Sequence, residues 1–215
     1  HRIPEITDHL YKVDMALCGG FGWDLGPFEI WDSAGVKDTL KTMEETGYRP
    51  ADWVYRMVES GFENFYVIRQ GRKYYYLPYS GEYRPIPGQE GFILLDNLRP
   101  DKEIWRNEGA SVIDLGEGVL NIEFHSKMNT MGRDVVEGIH QGIDMAEKDF
   151  RAVVIGNQGQ HFSAGANIGV LFMYAIEQNY EKLDEIIHLF QQTMMRARYS
   201  GIPVVVAIHG LTLGG

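Results

Sequence analysis

Two stretches of small residues, each directly after an apolar run, are the parts of this sequence best suited to chemistry. Gln160–Asn167 (Gln-His-Phe-Ser-Ala-Gly-Ala-Asn) follows the run Arg151–Gly156, and Leu211–Gly215 follows 202–209. Small side chains let a ligand approach the backbone closely, so N–H groups from both stretches could bind one carbonyl oxygen as an oxyanion hole. Alternatively, the glycines only relieve backbone strain in two ordinary loops.

Short strands are predicted before both stretches, and helices are predicted between them. Ala152–Ile155 and Val204–Ile208 are wholly apolar, which is typical of strands buried on both faces. Ser111–Leu115 and Val119–Phe124 predict a hairpin with its turn at Gly116–Gly118. Helices are predicted over 131–147, 168–178 and 180–199. The order β-β-α-β-α-α-β predicts an α/β fold (α+β mixed), in which helices wrap a mixed sheet.

The first 61 residues predict four short helices that are separated by Gly and Pro. The first is predicted over 3–17, with Pro4 in its first turn, and it ends at the glycines Gly19, Gly20 and Gly22. The other three begin at Pro27, Val36 and Pro50 and end at Gly35, Gly47 and Gly61. Two β-like runs follow, Phe65–Arg69 and Lys73–Leu77. Residues 77–108 are rich in Pro and Gly and are predicted to be an irregular connector.

Composition and charge exclude several classes of partner. The chain has 215 residues, of which 44% are apolar, and this suits one or two folded domains. Its formal net charge of −10 argues against binding to nucleic acid or to an anionic membrane surface. No apolar run is long enough to span a membrane, and the His residues lack metal-ligand spacing, so no membrane span and no metal site are predicted. The single cysteine, Cys18, excludes an internal disulfide and suits the cytoplasm.

The motifs of residues 109–215, in their order and spacing, resemble the first part of the crotonase (enoyl-CoA hydratase/isomerase) fold. These motifs are Asp114–Ile122, Lys127–Met131, His161–Ile168 and Pro203–Gly215. The resemblance implies an acyl-CoA thioester substrate, whose carbonyl oxygen would accept hydrogen bonds from the N–H groups of Ala166 and Gly215. It also implies a coenzyme A channel lined by Lys127, Met128, Thr130, Ala164, Asn167 and Ile168. Asn167 and Thr130 stand where the family usually has Asp and Ala.

The same resemblance implies that this chain alone lacks hydratase activity. In hydratases of the family, one catalytic Glu comes three residues after the glycine that corresponds to Gly215, and a second Glu comes later. Both would lie beyond this chain, whose two ends look cut from a longer one. Hydration needs a general acid and a general base, so the chain is predicted not to turn over crotonyl-CoA. Uncovered sheet edges and apolar helix faces also predict aggregation or a homo-oligomer.

A second resemblance covers about residues 1–76. Gly20–Gly26 is one residue too long for a dinucleotide fingerprint, and it follows a predicted helix rather than a strand. The longer stretch Gly20–Val36 resembles part of the helical C-terminal domain of 3-hydroxyacyl-CoA dehydrogenases. Val13–Asp14 before it and Gly61–Phe62 after it fit the same pattern. The NAD domain and the catalytic residues of that family would lie upstream, so NAD is assigned to the parent protein and no cofactor to this chain.

The sequence leaves three functional hypotheses open. A small helical N-terminal domain (1–76), a connector (77–108) and the first part of a crotonase-like ββα domain (109–215) resemble a slice of the bacterial fusion proteins that carry both activities of fatty-acid β-oxidation. In the first hypothesis, the chain is an inactive part of such an enzyme, which hydrates enoyl-CoA and oxidises 3-hydroxyacyl-CoA with NAD. In the second, it is a non-catalytic acyl-CoA-binding or assembly module. In the third, Ser163 is a hydrolase nucleophile, in a loop one glycine short of the Gly-x-Ser-x-Gly motif.

Overall fold

The computed structural model describes residues 3–214 and divides the chain into two compact units. Unit 1 ends at Phe92, and unit 2 begins at Ile93. This boundary falls inside the segment 77–108 that the sequence predicts as a connector. The assignment of the two units to parts of a dehydrogenase and of a hydratase stays a prediction at this point.

Four helices and a three-stranded sheet form the described part of unit 1. The helices are α1 (Leu10–Phe21), α2 (Pro27–Ala34), α3 (Val36–Glu45) and α4 (Asp52–Glu59). The four predicted helices are confirmed, but the predicted bounds of the first are wrong. It begins at Leu10, and Gly19 and Gly20 lie inside it, because glycine weakens a helix without preventing it. Gly22 ends it in the left-handed conformation (φ 67°) and donates its N–H to Cys18 O.

The sheet of unit 1 is antiparallel and has an aromatic core beneath it. Its strands are β1 (Tyr66–Arg69), β2 (Arg72–Leu77) and β3 (Glu82–Pro85), in that order. Gln70 and Gly71, with φ of 52° and 71°, form the predicted turn between β1 and β2. The fully buried ring of Phe65 contacts the rings of Phe28, Trp31 and Trp53.

Asp14 joins α1 to two other elements of unit 1. It is 3% exposed, and its carboxylate accepts hydrogen bonds from the N–H groups of Phe28 (3.0 Å) and Glu29 (3.2 Å) and from the hydroxyl of Tyr66 (2.8 Å). A Cβ atom on Gly26 would lie 2.2 Å from Cβ of Asp14, so a side chain at position 26 would clash with Asp14. Asp14 therefore caps the first turn of α2, a helix other than its own.

Unit 2 contains a five-stranded sheet, a two-stranded sheet and four α-helices within its described residues. Its strands are β4 (Glu103–Arg106), β5 (Ala110–Gly116), β6 (Val119–Phe124), β7 (Thr130–Met131), β8 (Ala152–Ile155), β9 (Gly165–Ala166) and β10 (Val204–Val206). Its helices are α5 (Leu95–Lys102), α6 (Arg133–Asp149), α7 (Ile168–Ile176) and α8 (Tyr180–Arg198). A short 3-10 turn occupies Lys127–Asn129.

The larger sheet of unit 2 is mixed, as the sequence predicts. Its strand order is β10-β8-β6-β5-β4, with antiparallel pairing from β4 to β6 and parallel pairing from β6 to β10. The predicted hairpin, the helix order and the mixed α/β fold class are therefore confirmed. The prediction of an irregular connector is wrong, because β3, α5 and β4 lie within 77–108. Pro85 is accommodated there as the last residue of an edge strand, where no ladder hydrogen bond is lost.

α6 packs closely on the larger sheet because two glycines interrupt its apolar face. The apolar residues of this face are Val135, Ile139 and Ile143, all buried. A Cβ atom on Gly138 would lie 2.4 Å from Cβ of Ala110 on β5. A Cβ atom on Gly142 would lie 2.5 Å from Cγ1 of Ile122 on β6. This close packing fixes the start of α6, and with it the position of β7, which lies directly before the helix.

Two apolar elements of unit 2 are more exposed than their composition predicts. The sequence predicts Val204–Ile208 as a strand buried on both faces, but Val205 and Val206 are 57% and 48% exposed. That prediction is wrong because β10 is the edge strand of the sheet, with β8 as its only neighbour among the described strands. α7 likewise exposes apolar side chains, among them Ile168 and Phe172.

Candidate functional site

The two stretches of small residues lie side by side in unit 2. We call residues 160–167 the first loop and residues 209–214 the second loop. Phe162 N–H donates to His209 O (3.0 Å), and Ser163 N–H donates to Leu211 O (3.1 Å). Leu213 N–H donates back to Ser163 O (3.1 Å). The backbones of the two loops are therefore joined by a short ladder of hydrogen bonds.

Glycine is required where the two loops meet. Gly165 has φ of 84°, and a Cβ atom on it would lie 2.5 Å from the carbonyl oxygen of Leu213. Gly214 has φ of 62°, and a Cβ atom on it would lie 3.7 Å from the backbone nitrogen of Ala166. Gly165 therefore serves both the left-handed conformation and the close approach of two backbones, whereas Gly214 serves the left-handed conformation. Ala166 N lies at this junction, beside the second loop.

A third segment, residues 127–131, supports the first loop and is called the turn segment. β7, at its end, pairs in parallel with β9, so that Thr130 lies opposite Gly165 and Met131 opposite Ala166. Ala164 N–H donates to Met128 O at 3.1 Å. The pairing brings together two groups of predicted channel residues that are far apart in the sequence.

Side-chain hydrogen bonds join the turn segment to the first loop in both directions. Ser163 Oγ donates to Asn129 O (2.6 Å) and accepts from Gly165 N–H (3.0 Å). Asn129 Nδ2 donates to His161 O (2.9 Å). Ser163 is 2% exposed, and its proton is held by a backbone carbonyl, so the geometry gives it no role as a hydrolase nucleophile.

The predicted site residues occupy both segments. Lys127, Met128, Asn167 and Ile168 are exposed, whereas Thr130, Ala164 and Ala166 are half-buried. Asn167 caps α7, since its side chain accepts a hydrogen bond from Val170 N–H (3.4 Å). Thr130 Oγ1 donates to Lys127 O (3.0 Å). The second predicted oxyanion donor, Gly215, lies outside the described residues.

Asn129 is a buried residue of the turn segment that the sequence interpretation did not single out. It is 8% exposed and has φ of 50°, and the preceding Met128 has φ of 59°. Two consecutive non-glycine residues in the left-handed region are uncommon, and strained backbone of this kind clusters at functional sites. The available signal was the residue type, since Asn is among the few side chains that tolerate this conformation.

The three segments can bind an oxygen or an anion, but they carry no carboxylate. Residues 125–132, 157–176 and 201–214 contain no Asp or Glu, and Lys127 is their only Lys or Arg. Over residues 3–214, no three His, Cys, Asp or Glu side chains are grouped as metal ligands would be. The same part of the chain has no helix that is both long and apolar enough to cross a membrane. The chemistry available at the loops is therefore hydrogen-bond donation from the backbone. The loops also hold the imidazoles of His161 and His209, which bond to Leu211 N–H (3.3 Å) and Gly159 O (2.8 Å).

The Gly20–Gly26 segment of unit 1 does not fit a dinucleotide. Gly20 lies inside α1, and Gly22 ends that helix, so the segment connects two helices. A dinucleotide fingerprint needs a strand before its glycines and a helix after them, because the pyrophosphate binds at that helix N-terminus. The described residues of this segment give NAD no such site.

Comparisons with known proteins cover the two units differently. Residues 114–215, within unit 2, match the enoyl-CoA hydratase/isomerase family. A Bacillus subtilis protein named "Probable 3-hydroxyacyl-CoA dehydrogenase" is 42% identical over 214 residues, which are 99% of this chain and 27% of that protein. A Rickettsia felis protein named "Putative fatty acid oxidation complex trifunctional enzyme" is 28% identical and is matched over 99% of this chain and 26% of its own length. The chain thus spans about a quarter of the length of these curated relatives.

Solved structures of enoyl-CoA hydratase/isomerase proteins match part of the chain. One from Xanthobacter autotrophicus Py2 is 20% identical, covers 49% of this chain and 40% of its own chain, and has a TM-score of 0.43. One from Bacillus anthracis is 22% identical, covers 48% of this chain and 40% of its own, and has a TM-score of 0.42.

Proposed function

We propose that unit 2 binds the thioester group of an acyl-CoA, with the carbonyl oxygen accepting hydrogen bonds from the backbone N–H groups of Ala166 and Gly215. The observation that carries the proposal is the close approach of Gly165 and Ala166 to Leu213 and Gly214, which brings two small-residue backbones to one point. The family match over residues 114–215 supports the same chemistry. A donor of this kind stabilises a developing oxyanion by about 3–4 kcal/mol.

The rest of the coenzyme would lie along the turn segment. Lys127, exposed and without an acidic neighbour in 125–132, would attract the phosphates of coenzyme A. Met128 and Ile168 offer exposed apolar side chains beside it, at 53% and 75% exposure. Thr130, Ala164 and Asn167 complete the proposed channel.

We assign the chain to a larger enzyme of fatty-acid β-oxidation, which hydrates 2-enoyl-CoA and oxidises 3-hydroxyacyl-CoA with NAD. The names of the relatives support this assignment. Hydration needs groups that move protons, and the three loop segments supply no carboxylate for this. The two imidazoles of the loops, His161 and His209, bond to backbone groups of Leu211 and Gly159. This polypeptide is therefore expected not to hydrate crotonyl-CoA, and NAD is expected to bind elsewhere in the larger protein. The free thiol of Cys18 suits a reducing compartment such as the cytoplasm.

A second function is assembly without catalysis, and the exposed apolar residues of α7 favour it. Phe172 and Ile176 are 63% and 66% exposed, and surfaces of this kind bind other protein surfaces. In that case the chain is an acyl-CoA-binding or assembly module that forms a homo-oligomer. A pure assembly module differs from the first function in one measurable property. It has no thioester site and would not distinguish crotonyl-CoA from coenzyme A itself.

Titration of the ¹⁵N-labelled chain with crotonyl-CoA and with coenzyme A tests the proposal. We expect the Ala166 amide proton to move downfield with crotonyl-CoA and to move much less with coenzyme A, because only the thioester supplies the carbonyl. Resonances of α8, such as Thr193, should stay in place and serve as the internal control. An Ala166 amide that responds to neither compound, or equally to both, would refute the assigned donor.

A further inference from the structure

We propose that Ser163 and Asn129 are positioning residues, which hold the Gly165–Ala166 backbone where it can donate to a thioester carbonyl. This inference rests on the function proposed above for the same site. It concerns two buried polar side chains that are not among the residues assigned there to bind the substrate.

Ser163 is the point at which all three segments of the site meet. Its hydroxyl donates to Asn129 O and accepts from Gly165 N–H, at 2.6 Å and 3.0 Å. Its backbone N–H donates to Leu211 O and its carbonyl accepts from Leu213 N–H, each at 3.1 Å. The hydroxyl therefore joins the turn segment to the first loop, while the backbone of the same residue joins the first loop to the second.

Asn129 supplies the reciprocal contact from the turn segment. Its amide Nδ2 donates to His161 O at 2.9 Å. His161 lies two positions before Ser163, whose hydroxyl donates to the Asn129 carbonyl. The backbone of Asn129 is left-handed (φ 50°), and its carbonyl oxygen accepts the hydrogen bond from Ser163 Oγ. The two side chains together close a ring of hydrogen bonds between residues 129 and 161–163.

This ring sets the orientation of the donor as well as its position. The bond from Gly165 N–H to Ser163 Oγ fixes the peptide plane between Ala164 and Gly165, one residue before the donor. β7 pairs with Gly165 and Ala166 themselves. Hydrogen bonds weaken steeply as the N–H direction departs from the acceptor. A small rotation of the first loop would therefore weaken a bond to the thioester carbonyl before it disrupted the fold.

Two variants remove the ring in different ways. Ser163→Ala leaves the Asn129 carbonyl and the Gly165 N–H without their side-chain partner in a buried place. Asn129→Asp keeps the shape and the tolerance of a left-handed backbone, but it replaces the donor to His161 O with a carboxylate oxygen that repels it. Each variant is expected to weaken binding of crotonyl-CoA about tenfold, which is the usual size of such a loss.

Thr193→Ala is the matched control. Thr193 is as buried as Ser163 (0% against 2% exposed), and its hydroxyl also donates to a backbone carbonyl, that of Leu189, at 2.8 Å. It lies on α8, outside the three segments. The substitution Thr193→Ala therefore removes a buried hydroxyl of unit 2 and leaves the proposed ring of hydrogen bonds intact.

The experiment measures the carbonyl stretch of crotonyl-CoA, ¹³C-labelled at the thioester carbon, by infrared spectroscopy in the presence of the chain. Bound to the wild type and to Thr193→Ala, the stretch should shift to lower frequency, because the donors polarise the carbonyl. In Ser163→Ala and Asn129→Asp the shift should be reduced at saturating ligand, together with the about tenfold rise in Kd. Affinity for coenzyme A alone should stay at the wild-type value.

If the carbonyl stretch shifts as far in both folded variants as in the wild type, the positioning role is overturned and the proposed function stands. Absence of any shift in the wild type would refute the proposed function instead. In that case hydrogen exchange still decides the structural claim, since Ser163→Ala should speed exchange in residues 163–167 and Thr193→Ala should not. Equal exchange in the two variants would overturn it. If Ser163→Ala fails to fold, Asn129→Asp carries both measurements.

Discussion

Replacing Gly165 with alanine directly tests the contact between the first and second loops. The new Cβ atom would lie 2.5 Å from Leu213 O, which is a backbone atom and cannot rotate away. The residue would also have to keep φ near 84° with a side chain attached. Both effects act beside Ala166, the proposed donor of the first loop, where that loop contacts the second.

The two effects have estimable sizes. A left-handed backbone costs an L-residue about 1–2 kcal/mol relative to glycine. Forcing an extra methyl group into a closely packed place costs about 1–3 kcal/mol, because neighbouring groups must move. Gly165→Ala is therefore expected to lower the free energy of unfolding by about 2–5 kcal/mol. Any loop that moves apart to relieve the clash should also lose affinity for crotonyl-CoA.

Urea unfolding followed by far-UV circular dichroism measures the loss, with Gly201→Ala as the control. A Cβ atom on Gly201 would meet nothing closer than Glu147 Oε1 at 3.7 Å, so that variant should change the free energy by less than about 0.5 kcal/mol. Calorimetry with crotonyl-CoA on both variants then separates a local effect from a global one. Equal stability and equal affinity in the two variants would refute the requirement for glycine at the loop contact.

Three other changes have defined outcomes. Asp14→Ala removes the cap of α2 and the partner of the Tyr66 hydroxyl, so it should lower the free energy of unfolding by about 2–4 kcal/mol. Urea unfolding followed by tryptophan fluorescence measures this loss. The control Asp24→Ala, at an exposed position, should lose less than about 0.5 kcal/mol. Gly142→Ala should lower the free energy of unfolding by about 1–3 kcal/mol in the same urea titration, because its Cβ atom would lie 2.5 Å from Ile122. In the control Gly132→Ala the Cβ atom meets nothing within 4 Å, so the loss should be less than about 1 kcal/mol. Hydrogen bonds from Arg196, Gly201 and Ser200 lower the pKa of Glu147 from 4.5 to about 2, so their stabilising effect is complete above about pH 4.5 and is lost as the pH falls toward 2. In Glu147→Gln, Tm should therefore depend less on pH within that window, and an unchanged slope would contradict the assignment.

Local signals in the sequence predicted most of unit 2. The hairpin of β5 and β6 follows from two β-like runs around Gly116–Gly118, and α6 follows from apolar residues at helical spacing. These patterns depend on neighbours in the chain, so they can be read without the fold. The start of α1 could not be read in this way, because residues 3–9 also match the helical period of Ile6 and Leu10. The structure places only turns and bends between Ile3 and Asp8.

Burial and long-range contacts account for what the sequence did not predict. The composition of Val204–Ile208 indicates burial, but burial depends on which elements cover a strand, and β10 is at an edge of its sheet. At the site, spacing and resemblance pointed to the first loop and the turn segment. The ring formed by Ser163 and Asn129 joins side chains to backbone carbonyls that are far away in the sequence. Residue spacing does not predict a hydrogen bond of this kind. Its contribution was therefore visible only in the structure.

The contacts that make the site also determine when it can form during folding. The bond between Ser163 and Asn129 joins positions 34 apart, and the bond between Leu211 and His161 joins positions 50 apart. Closing such long stretches of chain is slow compared with forming a hairpin or a helix, because the entropy of the intervening chain is lost first. In refolding followed by hydrogen exchange, the loops of the site should gain protection after β5, β6 and α6. Ligand binding would then begin only after these long-range contacts have formed, later than the hairpin and α6.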